Sequence, residues 1–134
     1  MKQFRNMILL LLCCSLRAAA QPRLVFSEQL GDAGVLSVSR EESRKVVFEG
    51  RNAGTEPLVF DHAETRCPCA EVQLPKKPVK PGKKVKIRVT FHAKELDDRG
   101  VVGNVITLFY RSGSPRGSSR MDYTRIRIRA ELKD

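Results

Sequence analysis

Phe48-Glu49-Gly50-Arg51-Asn52-Ala53-Gly54 opens a stretch that continues through Pro57-Leu58-Val59-Phe60, Cys67-Pro68-Cys69 and Pro81-Gly82 to Lys84-Val85-Lys86-Ile87-Arg88-Val89-Thr90-Phe91. Its last part alternates without a break: Val85, Ile87, Val89 and Phe91 share one parity, Lys84, Lys86, Arg88 and Thr90 the other. Side chains repeat every two residues along a strand, so this is a strand with one face on a core and one in water. Asn and Gly tolerate positive φ, which predicts a turn at Asn52 to Glu56 between strands at Lys45 to Arg51 and Leu58 to Ala63. Pro81-Gly82 predicts a tight turn before the alternating run. Pro68, Pro75 and Pro78 remove ladder donors, so Glu64 to Val79 can form at most an edge.

The same texture extends to both sides. Leu24-Val25-Phe26 and Val35 to Val38 read as a first strand broken around Gly31 to Gly34. Val101 to Tyr110 is apolar at both parities, which suits a central strand covered on both faces. Arg111 to Arg120 is rich in Gly, Ser and Arg and reads as a mobile hairpin loop. Tyr123 to Leu132 alternates again, Ile126, Ile128 and Ala130 against Arg125, Arg127 and Arg129. Short β-rich runs separated by turn signals, with no helical periodicity and no internal repeat, predict an all-β sandwich.

Residues 1–20 have the three parts of a secretory signal: basic Lys2 and Arg5, an apolar stretch from Met7 to Leu16, and Ala18-Ala19-Ala20 before Gln21. The apolar part is shorter than the about 20 residues a membrane span needs, so the chain is expected to be exported, periplasmic or secreted, and not transmembrane. A buried N-terminal helix would need a larger protein to cover so apolar a segment. Lipid anchoring at Cys13 or Cys14 is the other alternative, although Leu12 and Cys13 stand where a small residue is expected. Cleavage removes Lys2, Arg5 and Arg17 and no acid, which takes the net charge from +10 to +7. The remaining 21–134, about 114 residues, fit one domain able to bury a core. With no tryptophan, that core rests on Val, Ile, Leu and Phe.

After cleavage only Cys67 and Cys69 remain, and an exported pair of thiols is more readily oxidised or liganded than free. In an extended strand their Cα atoms would lie ~6.5 Å apart, so a disulfide would need a turn and would close a small, labile ring. Cys67 and Cys69 with His62 and His92 could instead hold Zn(II), and the thiolate pair alone Cu(I). The plainer reading is a structural local bridge, or sulfurs packed as small apolar groups with both histidines at the sheet rim.

Two cationic stripes, Lys84, Lys86, Arg88 and Arg125, Arg127, Arg129, could hold an anionic glycan or lipid headgroups. They could equally be solvated outer faces whose charge guards an edge. An exported chain without aromatic side chains interleaved among its cations is not expected to bind nucleic acid. No phosphate-cradling loop, zinc-protease helix or nucleophile elbow is present, and Asp97 and Asp98 beside Arg99 read as loop charges. The expectation is a protein that is not an enzyme and carries no cofactor.

The order Phe48, Asn52, Gly54, Pro57-Leu58, Cys67-x-Cys69, Pro78-Val79-Lys80-Pro81-Gly82 and Ile87-x-Val89-x-Phe91 resembles the domain of unknown function 1573 family of exported bacterial proteins. Asp32-Ala33-Gly34-Val35-Leu36 sits where such domains have an aspartate, aromatic, glycine run. The family is similar to immunoglobulin-like domains related to Hydin and the major sperm protein. Its members have Gly between the cysteines and Thr after them, where this chain has Pro68 and Ala70. The resemblance implies an immunoglobulin-like β-sandwich of about seven strands. Its expected role is a structural or binding module of the cell envelope, whose partner is another envelope protein or an anionic glycan or lipid. A metal-binding or thiol-redox protein built on Cys67 and Cys69 is the alternative.

Overall fold

The computed structural model describes residues 20–97, 99–117 and 119–134. The expected leader up to residue 19, with Cys13 and Cys14, and Asp98 lie outside the described residues. Eight strands follow one another: β1 (Leu24–Phe26), β2 (Leu30–Ser37), β3 (Ser43–Asn52), β4 (Leu58–Thr65), β5 (Ala70–Gln73), β6 (Lys84–His92), β7 (Gly100–Ser112) and β8 (Asp122–Lys133). A 3-10 turn, Ala93–Glu95, links β6 to the following loop. The first sheet runs β1-β3-β6-β5 and the second β2-β8-β7-β4. This is the all-β sandwich that the alternation predicts. Ile87 and Val89 from the first sheet and Ile106, Leu108, Ile126 and Ile128 from the second are fully buried between the layers. The residues of opposite parity on β6 and β8 face solvent.

Among the described residues there are eight strands, close to the about seven expected, the extra one arising because the expected first strand is two strands on different sheets. β1 pairs antiparallel with β3, whereas β2 pairs parallel with β8. Gly31 does not break the chain. It is buried, and an added Cβ would lie 2.6 Å from Cζ of Phe48, so glycine lets β2 close on the opposite sheet. The irregularity comes next, between Asp32 and Val35, where the register shifts. There Gly34 adopts φ 75°, and its amide donates to Oδ1 of Asp32 at 2.8 Å.

The Pro81-Gly82 turn forms as expected, with Gly82 at φ 78° and the Lys83 amide donating to the Lys80 carbonyl at 3.0 Å. The turn after β3 works differently from the expectation. Neither Asn52 nor Gly54 has positive φ. Asn52 is instead a fully buried polar hub. Its Nδ2 donates to the carbonyls of Glu56 (2.7 Å) and Val79 (3.0 Å), and its Oδ1 accepts from the amides of Arg23 (3.2 Å) and Gly54 (3.0 Å). Gly54 is glycine because a Cβ there would stand 2.6 Å from the Arg23 nitrogen and against the Gln21 carbonyl.

Within the proline-rich stretch only β5 is a strand, and it lies at the margin of the first sheet beside β6. β1, at the other margin, has three residues. β4 and β2 border the second sheet, and each carries a register shift, between Phe60 and His62 in β4. β7 occupies the central position expected for it, but its outer face is not covered: Val101 is 73% exposed.

Candidate functional site

The outer face of the second sheet collects apolar, aromatic and cationic side chains from four strands. Residues in register on neighbouring strands share a face, so the pairing defines the rows. One row runs Leu30, Arg127, Val105, and another runs Asp32, Arg129, Gly103. A third joins Val35, Glu131 and Val101, and a fourth Tyr123, Phe109 and His62. Five of the seven described large apolar residues exposed to water, Leu30, Val35, Val101, Val105 and Tyr123, lie on this face. Val35, Val101, Arg129 and Glu131 line a shallow hollow in it. Exposed apolar side chains gathered on one face, here interrupted by the Arg127, Arg129 and Glu131 side chains of β8, are a feature of interaction surfaces.

The aromatic row begins with a stacked pair and continues through a tilted one. The His62 and Phe109 rings lie 4.5 Å apart and 10° from parallel. Phe109 and Tyr123 follow at 6.1 Å, and the Arg125 guanidinium sits 5.2 Å from the centre of the Tyr123 ring. The sequence reading that no aromatics interleave with the cations is corrected here. His62, Phe109 and Tyr123 come from three strands, and only cross-strand register brings them together.

His62 is held by acids on its own strand. Its Nδ1 lies 2.6 Å from Asp61 Oδ2 and its Nε2 3.3 Å from Glu64 Oε1. The hydrogen bond to Asp61, then that to Glu64, raises the imidazole above its ordinary value. A group so raised adds stability that is complete below the unfolded imidazole's pKa and lost as pH rises through the folded one. We therefore expect the His62 ring resonances to titrate with a midpoint above that of a free imidazole, and Asp61→Asn to bring the midpoint down. An NMR titration of both proteins checks this, and an unchanged midpoint in the variant would assign the shift elsewhere. On the same face the Gly34 amide, then the Arg129 guanidinium at 2.9 Å, holds the Asp32 carboxyl below the usual carboxylate range.

The six stripe cations do not form one patch. Lys84, Lys86 and Arg88 project from β6 on the outer face of the first sheet, Arg125, Arg127 and Arg129 from β8 on the outer face of the second. Lys86 stands 3.9 Å from Glu49, and Lys84 and Arg88 flank it, opposite Arg51 and Val47. Arg129 pairs with Asp32, and Arg125 caps the aromatic stack.

Cys67 and Cys69 are joined by a disulfide, their Cα atoms 5.1 Å apart. The bridge sits in a turn between β4 and β5. The Ala70 amide donates to the Cys67 carbonyl at 3.4 Å, with Pro68 at the turn position for which its ring presets φ. Thr65 clamps the first cysteine: its Oγ1 donates to the Cys67 carbonyl (3.0 Å) and accepts from the Cys67 amide (3.2 Å) and from Asn104 Nδ2 (2.6 Å). Cys69 is 1% exposed and Cys67 only half-buried.

The two histidines stand apart from the sulfurs in their bonding. His92, on the first sheet, lies 2.8 Å from Ser43 Oγ through Nδ1 and 3.2 Å from Glu71 Oε2 through Nε2. His62 is on the second sheet. Among the described residues no three His, Cys, Asp or Glu side chains are grouped to hold a metal ion, so Cys67, Cys69, His62 and His92 do not form the four-ligand set. Among the described residues no helix is long and apolar enough to cross a membrane.

Residues 24–115 match the family described as "Protein of unknown function (DUF1573)". No curated protein matches the chain. Among solved structures, the chain is similar to the ASH/PapD-like domain of human CEP192, PapD-like domain 7, with TM-score 0.68 and 9% identity over 90% of this chain and 92% of that one. It is also similar to a protein of unknown function from Porphyromonas gingivalis W83, with TM-score 0.66 and 22% identity over 88% of this chain and 50% of the other. The periplasmic chaperone SfaE follows with TM-score 0.57 and 7% identity over 84% of this chain and 59% of its own. This chain thus spans about half the length of the Porphyromonas protein. At such identities the likeness is one of fold.

Proposed function

Because the chain belongs to the DUF1573 family of proteins of unknown function, we propose its role from its surface: a non-catalytic, exported binding module of the cell envelope that holds a protein partner on the outer face of the second sheet. The observation that carries this is the concentration of Leu30, Val35, Val101, Val105 and Tyr123 on one face, threaded by Arg125, Arg127 and Arg129. Apolar side chains beside arginines select a partner surface of matching character, apolar with acidic residues to meet Arg125 and Arg127. The basic and apolar leader pattern before Gln21 supports export, and a periplasmic chaperone among the fold neighbours agrees with it.

A photo-crosslinking amino acid at position 105 or 123 is expected to capture an envelope protein, and one at position 47, on the first sheet, is not. The adduct is identified by mass spectrometry and the complex rebuilt from purified components. Val105→Glu should then weaken it at least about tenfold, as a charge buried at an interface centre does. Equal capture at position 47, or no effect of Val105→Glu, would overturn the assignment. If the basic face of the first sheet acts instead, binding of vesicles with anionic headgroups through Lys84, Lys86 and Arg88 falls steeply with salt and is indifferent to Val105→Glu.

A further inference from the structure

We propose that Cys67 and Cys69 form a thiol–disulfide exchange site, in which Cys67 is the sulfur that forms the mixed disulfide with a partner; Cys69 is the sulfur that leaves when a partner dithiol is oxidised and the one that resolves the mixed disulfide when a partner disulfide is reduced. This goes beyond the binding role and does not depend on it. Three features point the same way. The bridge joins residues two apart in the sequence. A loop that short restricts the unfolded chain little, so the bond adds little as a staple. The turn also has hydrogen bonds independent of it, from Thr65, Asn104 and the Ala70 amide. Opening the bridge therefore leaves its surroundings in place.

The second feature is asymmetry. Cys69 is buried at 1% exposure, while Cys67, packed against the edge of the core, keeps part of its surface in solvent, so Cys67 is the more accessible of the two residues. The third is electrostatic. The Cys69 amide donates to Sγ of Cys67 at 3.1 Å. A donor aimed at sulfur favours the thiolate over the thiol, so the reduced form would keep Cys67 as the nucleophile and the better leaving group. No comparable donor faces Cys69 Sγ among the described hydrogen bonds.

The reactant is a dithiol, on a protein or a small molecule. Its thiolate attacks Sγ of Cys67 and forms the new sulfur–sulfur bond. The Cys67–Cys69 bond breaks, its electron pair stays on Cys69, and Cys69 takes up a proton from solvent. The reactant's second thiolate then attacks its own sulfur in the mixed disulfide and releases Cys67 as a thiolate. Two electrons have passed from the dithiol, now a disulfide, to the cysteine pair. Run backwards, the same steps reduce a partner's disulfide.

The test uses the folded protein without denaturant. Dithiothreitol followed by alkylation is expected to add two alkyl groups by intact mass, and limiting iodoacetamide on the reduced protein should label Cys67 before Cys69 by peptide mapping. With oxidised glutathione at neutral pH, Cys69→Ala should form a mixed disulfide at Cys67 at least about tenfold faster than Cys67→Ala does at Cys69. Circular dichroism shows whether each variant is folded, and the labelling order in the unsubstituted protein stands without them. A bridge that opens only in denaturant, or equal labelling of the two sulfurs, would overturn the proposal.

Discussion

A chain ended at Arg120 is expected to show no cooperative thermal transition and no β-sheet minimum in its far-ultraviolet circular dichroism. Such a chain keeps every residue of the family match, which stops at 115, and loses only β8. Yet β8 is an interior strand of the second sheet, paired with β2 on one side and β7 on the other. β2 has no other sheet neighbour. Ile126 and Ile128 are fully buried and Leu132 is 2% exposed, so the truncation removes three large core side chains. Each is worth about 1.5–3 kcal/mol of burial, and their sum is comparable with the about 5–15 kcal/mol that holds a whole domain together. A cooperative melt in the shortened protein would mean that the first sheet with the β7–β4 pair suffices.

Asn52→Ala is expected to cost about 3–4 kcal/mol, a large effect for a single polar substitution. Asn52 sits at the end of β3 with none of its surface exposed, and all four of its hydrogen-bonding positions are used. Alanine leaves the Glu56 and Val79 carbonyls and the Arg23 and Gly54 amides without these partners, and it leaves a void where the fully buried amide stood. Those four groups belong to the segment before β1, the turn after β3 and the approach to β6, so one side chain ties three stretches of chain. Asn52→Asp tests the donor half alone, since it turns an oxygen toward two carbonyls. Its carboxyl should be pushed above the ordinary range, so its stability deficit should shrink as pH falls below the folded pKa. Chemical denaturation of the three proteins at neutral and acid pH gives the comparison; a loss below about 1 kcal/mol for Asn52→Ala would show that the hub is dispensable.

The strands that the sequence makes legible are those whose alternation is set by burial on one side only. Val85, Ile87, Val89 and Phe91 face the core, as do Ile126, Ile128 and Ala130. What is not legible depends on distant partners. Gly31 reads as a strand break until Phe48 is seen to fill the space over it. Asn52 suggests left-handed backbone, and nothing local reveals that its amide group will be enclosed and fully bonded. The apolar residues of β7 look the same in sequence whether the second face is covered or open, so Val101 and Val105 read as interior when they are the most telling surface residues. The aromatic row was hidden for a similar reason. His62, Phe109 and Tyr123 are far apart in the chain and meet only through strand register. The Cys67 and Cys69 spacing drew notice to the pair, and the turn that joins them follows from Pro68, although which sulfur is sheltered required the fold.

The margins of the two sheets have a further consequence for life in a crowded compartment. β1 has three residues and β5 four, and the two longer border strands, β2 and β4, are each dislocated in register. An uninterrupted flat border would offer neighbouring copies a template for backbone-to-backbone growth into fibres. Here each template is too short or bent out of line after a few rungs. Exposed apolar side chains on the outer face thus stand beside borders that give backbone-to-backbone growth no long regular start.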